Sequence, residues 1–242
     1  MKLGIMQPYF FPYIGYFQLI AAVDKYVFFD TPQYERRGWM NRNRIINLKN
    51  GFTYITVPIV KAPQNTSLYD VRIDNSREWR KTILSQLEVY KKRAQYYDRT
   101  IALIKAILND SPDSLSELNI FSVLRICDYV GFSIDYDVFS KMNIEVSTDC
   151  EPDEWALKIT KVMGYDTYIN APGGQSFFDC SKYSEAGINL RFIQPRITPY
   201  VQKLGRFESG LSIIDVLMFN EKDDVIKMIN DYGMIKLKQE MK

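Results

Sequence analysis

GIMQPYFFPYIGYFQLIAAVDKYVFFDTPQYERRGWMNRNR, running from Gly4 to Arg44, is the stretch that decides the fold. Leu3 to Met6 is a short apolar run that reads as a buried strand, and it stops at Gln7-Pro8. Pro8 lacks the N–H that a ladder needs and Pro12 favours an extended path, so a structured turn rich in aromatics follows. Ile14, Phe17, Leu19, Ile20 and Val23 then recur at the helical period. Tyr26 to Phe29 reads as a second strand ending at Asp30. Beyond it lies a polar loop with Gln33, Glu35, Arg36, Arg37, Trp39, Asn41, Arg42, Asn43 and Arg44. Strand, loop, helix, strand and polar loop open an α/β sheet, whose ligands bind beyond the carboxyl ends of the strands. Gln7 and Asp30 both stand at such ends.

Outward from this stretch, Phe52 to Ile59 alternates as a strand, and Ile45 to Leu48 can pair with it as a hairpin around Lys49-Asn50-Gly51. Val71 to Asp74 reads as a short strand. Helices are expected from Trp79 to about Tyr97, from Arg99 to Leu108 and from Ser114 to Val130, with Gly131 closing the last. Met142 to Val146 reads as a strand. Ser147-Thr148-Asp149 before Glu151-Pro152 starts a helix that runs to Met163. Thr167 to Asn170 is a strand leading into Gly173-Gly174-Gln175. A helix over Asp179 to Ala186, a strand over Asn189 to Ile193 and helices from Ser212 and Asp223 complete the chain. The expectation is one α/β domain over residues 1–242, with a helical insertion or lid around 76–131.

The chain has 242 residues and a net charge of +2, which gives no reason to expect nucleic acid or an anionic membrane as a partner. Three scattered cysteines fit neither a disulfide framework nor a CxxC metal site and suggest a reducing compartment. No apolar run approaches a membrane span, and the first is broken too early for a signal peptide. The expectation is a cytoplasmic protein without membrane insertion and without a resident metal. The sequence also contains no histidine, which excludes Ser-His-Asp and Cys-His nucleophiles and histidine general bases. Acid–base work falls to carboxylate, tyrosine, lysine, cysteine or substrate.

Several residues are candidates for a site. Gln7 ends a buried strand and must be satisfied by protein or ligand. Asp30 is a strand-end carboxylate facing an Arg/Asn loop, either salt-bridged or a general base. Arginine forks match phosphate and carboxylate, while asparagine suits sugar hydroxyls and amides, so Arg37, Arg42, Arg44, Asn41 and Asn43 fit a phosphorylated or nucleotide-bearing substrate. Tyr9, Phe10 and Phe11 read as core. Gly173-Gly174 lets backbone approach a ligand, and Ser212 and Asp215 read as an N-cap and a first-turn acid.

The run Gln7-Pro8-Tyr9-Phe10-Phe11-Pro12-Tyr13-Ile14-Gly15-Tyr16-Phe17 resembles the WbqC-like family. So do Asp24, Asp30, Gln33-Tyr34, Arg37-Gly38-Trp39, Asn41-Arg42-Asn43, Thr56-Val57-Pro58, Trp79, Tyr168, Gly173-Gly174, Leu211 to Asp215 and Asn220. That family occurs in bacterial gene clusters for surface polysaccharides and O-antigens. The resemblance implies an enzyme acting on a nucleotide-activated amino sugar, most simply by transferring an acyl or aminoacyl group to its amine. Arg37, Arg42 and Arg44 would hold diphosphate, and Gln7, Gln33, Asn41 and Asn43 would orient the sugar with Gln175. Trp39 or Tyr168 would stack on a ring, and Asp30 would take the proton. Tyr13-Ile14-Gly15-Tyr16 is similar to the HIGH motif of nucleotidylyltransferases, with both histidines replaced by tyrosine. That likeness implies an open, mostly parallel, Rossmann-like sheet and, as an alternative, ATP with Mg²⁺ activating a carboxylate near Asp30 or Asp215. A non-catalytic sugar-nucleotide or glycan binding protein is the third reading.

Overall fold

The computed structural model describes residues 1–146, 151–203 and 206–235. Its main sheet has six strands in the order β5 (Tyr136–Val138), β2 (Lys25–Phe28), β1 (Lys2–Met6), β6 (Thr167–Asn170), β7 (Asn189–Pro195), β8 (Tyr232–Ile235). β1 pairs in parallel with β2 on one side and β6 on the other. β5 extends the β2 edge in parallel, and β7 extends the β6 edge. β8 closes the sheet antiparallel to β7. The architecture is an α/β fold with a mostly parallel, Rossmann-like open sheet.

Both faces of the sheet are buried, so its strands read as apolar runs rather than alternating ones. Leu3, Ile5 and Val27 turn to one face, where α5 (Trp155–Val162) and α6 (Cys180–Glu185) supply Leu157, Ile159 and Tyr183. Tyr26, Phe28, Ile169 and Ile193 turn to the other, towards α1 (Ile14–Ala21) and further helices. Those helices are α2 (Trp79–Leu87), α3 (Tyr97–Asn109), α4 (Leu115–Val130), α7 (Ile213–Phe219) and α8 (Lys222–Asn230). The segment between residues 79 and 130 thus shares one core with α1 and the sheet. Gln18 in α1 is fully buried, and its amide donates to the carbonyls of Arg196, Met228 and Asp231, tying α1 to the end of β7 and to α8. No helix among the described residues is long and apolar enough to cross a membrane.

The chain builds β1, β2 and β5 outward in one direction and then returns to the far side of β1 for β6 and β7. The carboxyl ends of β1 and β6 are therefore the topological switch point, where connecting loops part and leave a crevice. Gln7 follows β1 there, and Ala171 to Gln175 follow β6, whose last residue is Asn170.

Four local expectations change. Arg42 to Arg44 belong to β3 (Arg42–Asn47), paired antiparallel with β4 (Gly51–Thr56), not to a loop; the hairpin begins earlier than its apolar residues suggest. The helix expected to reach Tyr97 breaks after Leu87 into a tight 3-10 turn, Glu88–Tyr90, which aims Tyr90 inward. Met142 to Val146 is irregular, and Val71 to Asp74 makes only isolated bridges, Arg72 with Ser114 and Ile73 with Ile59. Ser147, Thr148 and Asp149 lie outside the described residues; Glu151 and Glu154 form the capping box ahead of α5.

Candidate functional site

The loop from Gln7 to Tyr13 is anchored by side chains from several elements. Tyr16 donates its hydroxyl to the Gln7 carbonyl at 3.0 Å. Asn119 of α4, fully buried, donates to the carbonyls of Pro8 at 2.9 Å and Met40 at 2.7 Å. Asn43 donates to Phe10 and Phe11, and Ser212 donates to Phe11 at 2.7 Å. The backbone N–H of Ile213 takes the Pro12 carbonyl. A loop buried among aromatics must satisfy its carbonyls inside the protein, and these side chains do so. They also hold Phe11 at φ 41°, a left-handed conformation that costs about 1–3 kcal/mol for such a residue. Gly15 allows the Tyr13 ring to fold onto the start of α1, since a Cβ there would lie 2.5 Å from that ring.

Several expected site residues therefore face inward. Asp30 is 2% exposed, and its two carboxylate oxygens accept the backbone N–H and the hydroxyl of Ser140, at 2.9 and 2.5 Å. It clasps the end of β5 to the end of β2 rather than opening to a substrate. Tyr16 is buried beside Tyr26, with its hydroxyl committed to Gln7. Asn43 and Ser212 hold the loop, and Ser212 also caps α7. Tyr168 is buried and stacked on Tyr183 under α6, so its ring faces core and not a ligand.

The residues left at the surface form the candidate site. The Gln7 amide is half-buried and has no hydrogen-bond partner among the described residues. Asn170 bonds its own loop through the Ala171 N–H at 2.6 Å; Gly173 is exposed, and Gln175 bonds the Pro172 carbonyl. A Cβ on Gly174 would meet the Phe178 ring at 2.9 Å and the Asn170 amide at 3.1 Å. Tyr9 stands beside Gln7, and burial first, then the charge of Glu35, push its hydroxyl up to about 12, so it stays a donor. Gln33, Glu35, Arg36, Arg37 and Trp39 are exposed; Asn41 donates to the Val57 carbonyl. Because one Asn119 nitrogen reaches both Pro8 and Met40, the Gln7 loop and the start of the hairpin lie side by side.

On the hairpin, Arg42 and Arg44 alternate with aromatics of β4. Arg42 lies 4.4 Å over the Tyr54 ring, and Arg44 lies 4.9 Å over Phe52 and 5.4 Å from Trp39. Arg42 donates to the Arg37 carbonyl and Arg44 to that of Gly210. Among the described residues arginine ion pairs are made by Arg77, Arg99 and Arg196, so Arg36, Arg37, Arg42 and Arg44 have no carboxylate within 4.0 Å. Arg37 adopts φ 65°, which turns its carbonyl to Arg42.

Asp215 is a separate buried centre. It is fully buried and accepts from Tyr90 at 2.7 Å, Tyr200 at 2.6 Å and Gln202 at 2.8 Å. Tyr90 in turn accepts the Ile46 N–H of β3, and Gln202 also closes on Glu208. This cluster ties the hairpin to the loop that bears Gly210, a role that a first-turn acid in sequence does not reveal. Burial raises the Asp215 pKa, against the lowering effect of its three donors. A carboxyl whose folded pKa lies above its unfolded one binds more protons when folded. Its contribution is therefore present below the unfolded pKa and lost as pH rises through the folded one. Asp215→Asn should remove that decline, so the stability difference between wild type and variant should change with pH above about 4. Urea unfolding across pH checks this; a constant difference contradicts it.

From sequence Tyr9 reads as core, and Asn119, Asn170, Tyr90 and Gln202 are not site candidates. Asn119 sits in a motif-poor helix, and the only signal for it is an asparagine at an otherwise apolar position, Leu118-Asn119-Ile120.

No solved structure matches the chain. An uncharacterized protein of Mycobacterium tuberculosis (strain ATCC 25618 / H37Rv) is 30% identical to it over 228 residues, covering 90% of this chain and 93% of that protein. The WbqC-like protein family matches residues 7–227, from the glutamine that ends β1 to Lys227 in α8. The match takes in the anchored loop, the arginine hairpin, β6 and the Asp215 centre, and the chain belongs to the WbqC-like protein family.

Proposed function

We propose that this protein is an enzyme of surface-glycan assembly that transfers an acyl or aminoacyl group to the amine of a nucleotide-linked amino sugar. The observation that supports this reading is the set of arginines without carboxylates, beside an exposed tryptophan, on a hairpin whose start Asn119 ties to the loop that follows β1. Arginine left unpaired among aromatics suits the phosphates of a ligand. Arg37, Arg42 and Arg44 take those phosphates, Trp39 stacks on the base, and Gln7, Gln33, Asn41, Gly173, Gly174 and Gln175 line the sugar's approach.

Glu35 replaces Asp30 as the proton acceptor in this reading, because it is the exposed carboxylate of the same loop and has no ion-pair partner among the described residues. The sugar amine forms a bond to the acyl carbon of an activated ester or thioester. The bond from that carbon to its activating group breaks, the leaving group takes the electron pair, and Glu35 takes the proton from nitrogen. In this reading Tyr9, protonated at neutral pH, donates to the carbonyl oxygen as it gains charge.

A thermal-unfolding screen tests the binding half. A UDP-, dTDP- or GDP-linked amino sugar should raise the unfolding temperature by mass action, and ATP with Mg²⁺ should not. A response to ATP with Mg²⁺ alone would favour carboxylate activation instead.

A further inference from the structure

We infer that the aromatic residues of β4 turn Arg42 and Arg44 into a preformed two-fork receptor, selective for a diphosphate over a single phosphate. The inference rests on the nucleotide-sugar reading and assigns parts to Tyr54 and Phe52, which the chemistry above leaves unused. Arg44 pairs in register with Tyr54, and Ile46 with Phe52, so Arg42, Arg44, Phe52 and Tyr54 share one face of the hairpin. Each guanidinium lies over the ring one step diagonal to it, Arg42 on Tyr54 and Arg44 on Phe52. The rings pack edge to face at 5.7 Å, and Trp39 sits 6.5 Å from Tyr54 and 5.4 Å from Arg44.

Two constraints hold each fork before any ligand arrives: a ring lies under it, and one terminal nitrogen donates to a backbone carbonyl. Its Nε is buried without a hydrogen-bond partner. Nη1 of each arginine has no partner among the described residues and remains for an anion. Residues two apart on a strand place their side chains about 7 Å apart on the same face. Two forks at that spacing can grip the two ends of a diphosphate, whereas a single phosphate engages one fork at a time. Stacking guanidinium on a ring fixes its plane, and holding a flexible group in its bound geometry strengthens binding by removing an ordering cost. Tyr54 and Phe52 are positioning residues in this account; they touch the arginines and not the ligand.

The test is isothermal titration with inorganic pyrophosphate and inorganic phosphate as probes. Wild type should bind pyrophosphate at least about tenfold more tightly than phosphate. Tyr54→Leu should weaken pyrophosphate binding by about three- to thirty-fold, leave phosphate binding nearly unchanged, and unfold at close to the wild-type temperature. Tyr54→Phe, which keeps the ring, should bind pyrophosphate as wild type does. Equal affinity for the two probes, or Tyr54→Leu binding pyrophosphate like wild type, overturns the inference. Arg44→Gln separates the two levels: if it weakens pyrophosphate while Tyr54→Leu does not, the arginine reading stands and the receptor falls. If Arg44→Gln has no effect either, both fall.

Discussion

Asn119→Leu should destabilise the protein by about 3 kcal/mol and lower its unfolding temperature by about 10 °C. The substitution is close to isosteric, so it opens no large cavity. What it removes is the donor shared by the carbonyls of Pro8 and Met40, both then buried without a partner. A buried polar group stranded in this way costs about 1–3 kcal/mol, and two are stranded. The loss is partly offset because the Asn119 Oδ1 is itself buried without a partner, and leucine removes it. The same nitrogen keeps the Gln7 loop beside the hairpin, so ligand affinity should fall even at temperatures where the variant remains folded. Urea unfolding with ligand titration at 15 °C checks both effects. A loss below 1 kcal/mol would mean that the loop is held by its aromatic packing and not by this amide.

Glu35→Gln should lower kcat by about 10²- to 10⁴-fold, the usual worth of a positioned general base, and leave nucleotide-sugar binding intact. Asp30→Asn separates this assignment from the one that the strand-end position suggests. Asparagine at 30 can accept the Ser140 N–H and donate its amide to the Ser140 hydroxyl oxygen, so the clasp persists without its charge assistance and about 1 kcal/mol of stability should go. Turnover per folded molecule should change little. Rates normalised to folded protein decide between them: a collapse with Asp30→Asn and none with Glu35→Gln would return the base to Asp30.

Much of the sheet is legible in the chain because β1, β2 and β6 are short, largely apolar runs with a clear stop. Leu3 to Met6 ends at Gln7-Pro8, Tyr26 to Phe28 before Asp30, and Thr167 to Asn170 before Pro172-Gly173-Gly174. Where periodicity is weak, the reading fails for physical reasons. Arg42-Asn43-Arg44 looks like loop because its strand face is made of arginines, whose rings of support lie on β4. β8 carries Gly233 and a half-buried face, and it becomes a strand only because β7 offers an open edge. The break at Tyr90 is invisible in sequence because its partner, Asp215, is 125 residues away. The site divides in the same manner. Gln7 stands out by its place after β1, and Arg37, Trp39, Arg42 and Arg44 by residue type alone; these belong to the proposed site. Asn43, Ser212, Asp30 and Asp215 have the chemistry of a site but use it to hold loops, and only the three-dimensional partners reveal that.

The most direct test of the central claim is isothermal titration of the amino-sugar nucleotide that gives the largest thermal shift, against wild type and the Arg42→Gln/Arg44→Gln double variant. Each charge-assisted contact is worth about 1.5–3 kcal/mol, or roughly 10- to 150-fold in affinity. The account predicts micromolar-range binding by wild type and at least a 100-fold loss in a double variant whose unfolding temperature is unchanged. Equal binding by the two proteins would remove the hairpin from the site and, with it, the nucleotide-sugar assignment.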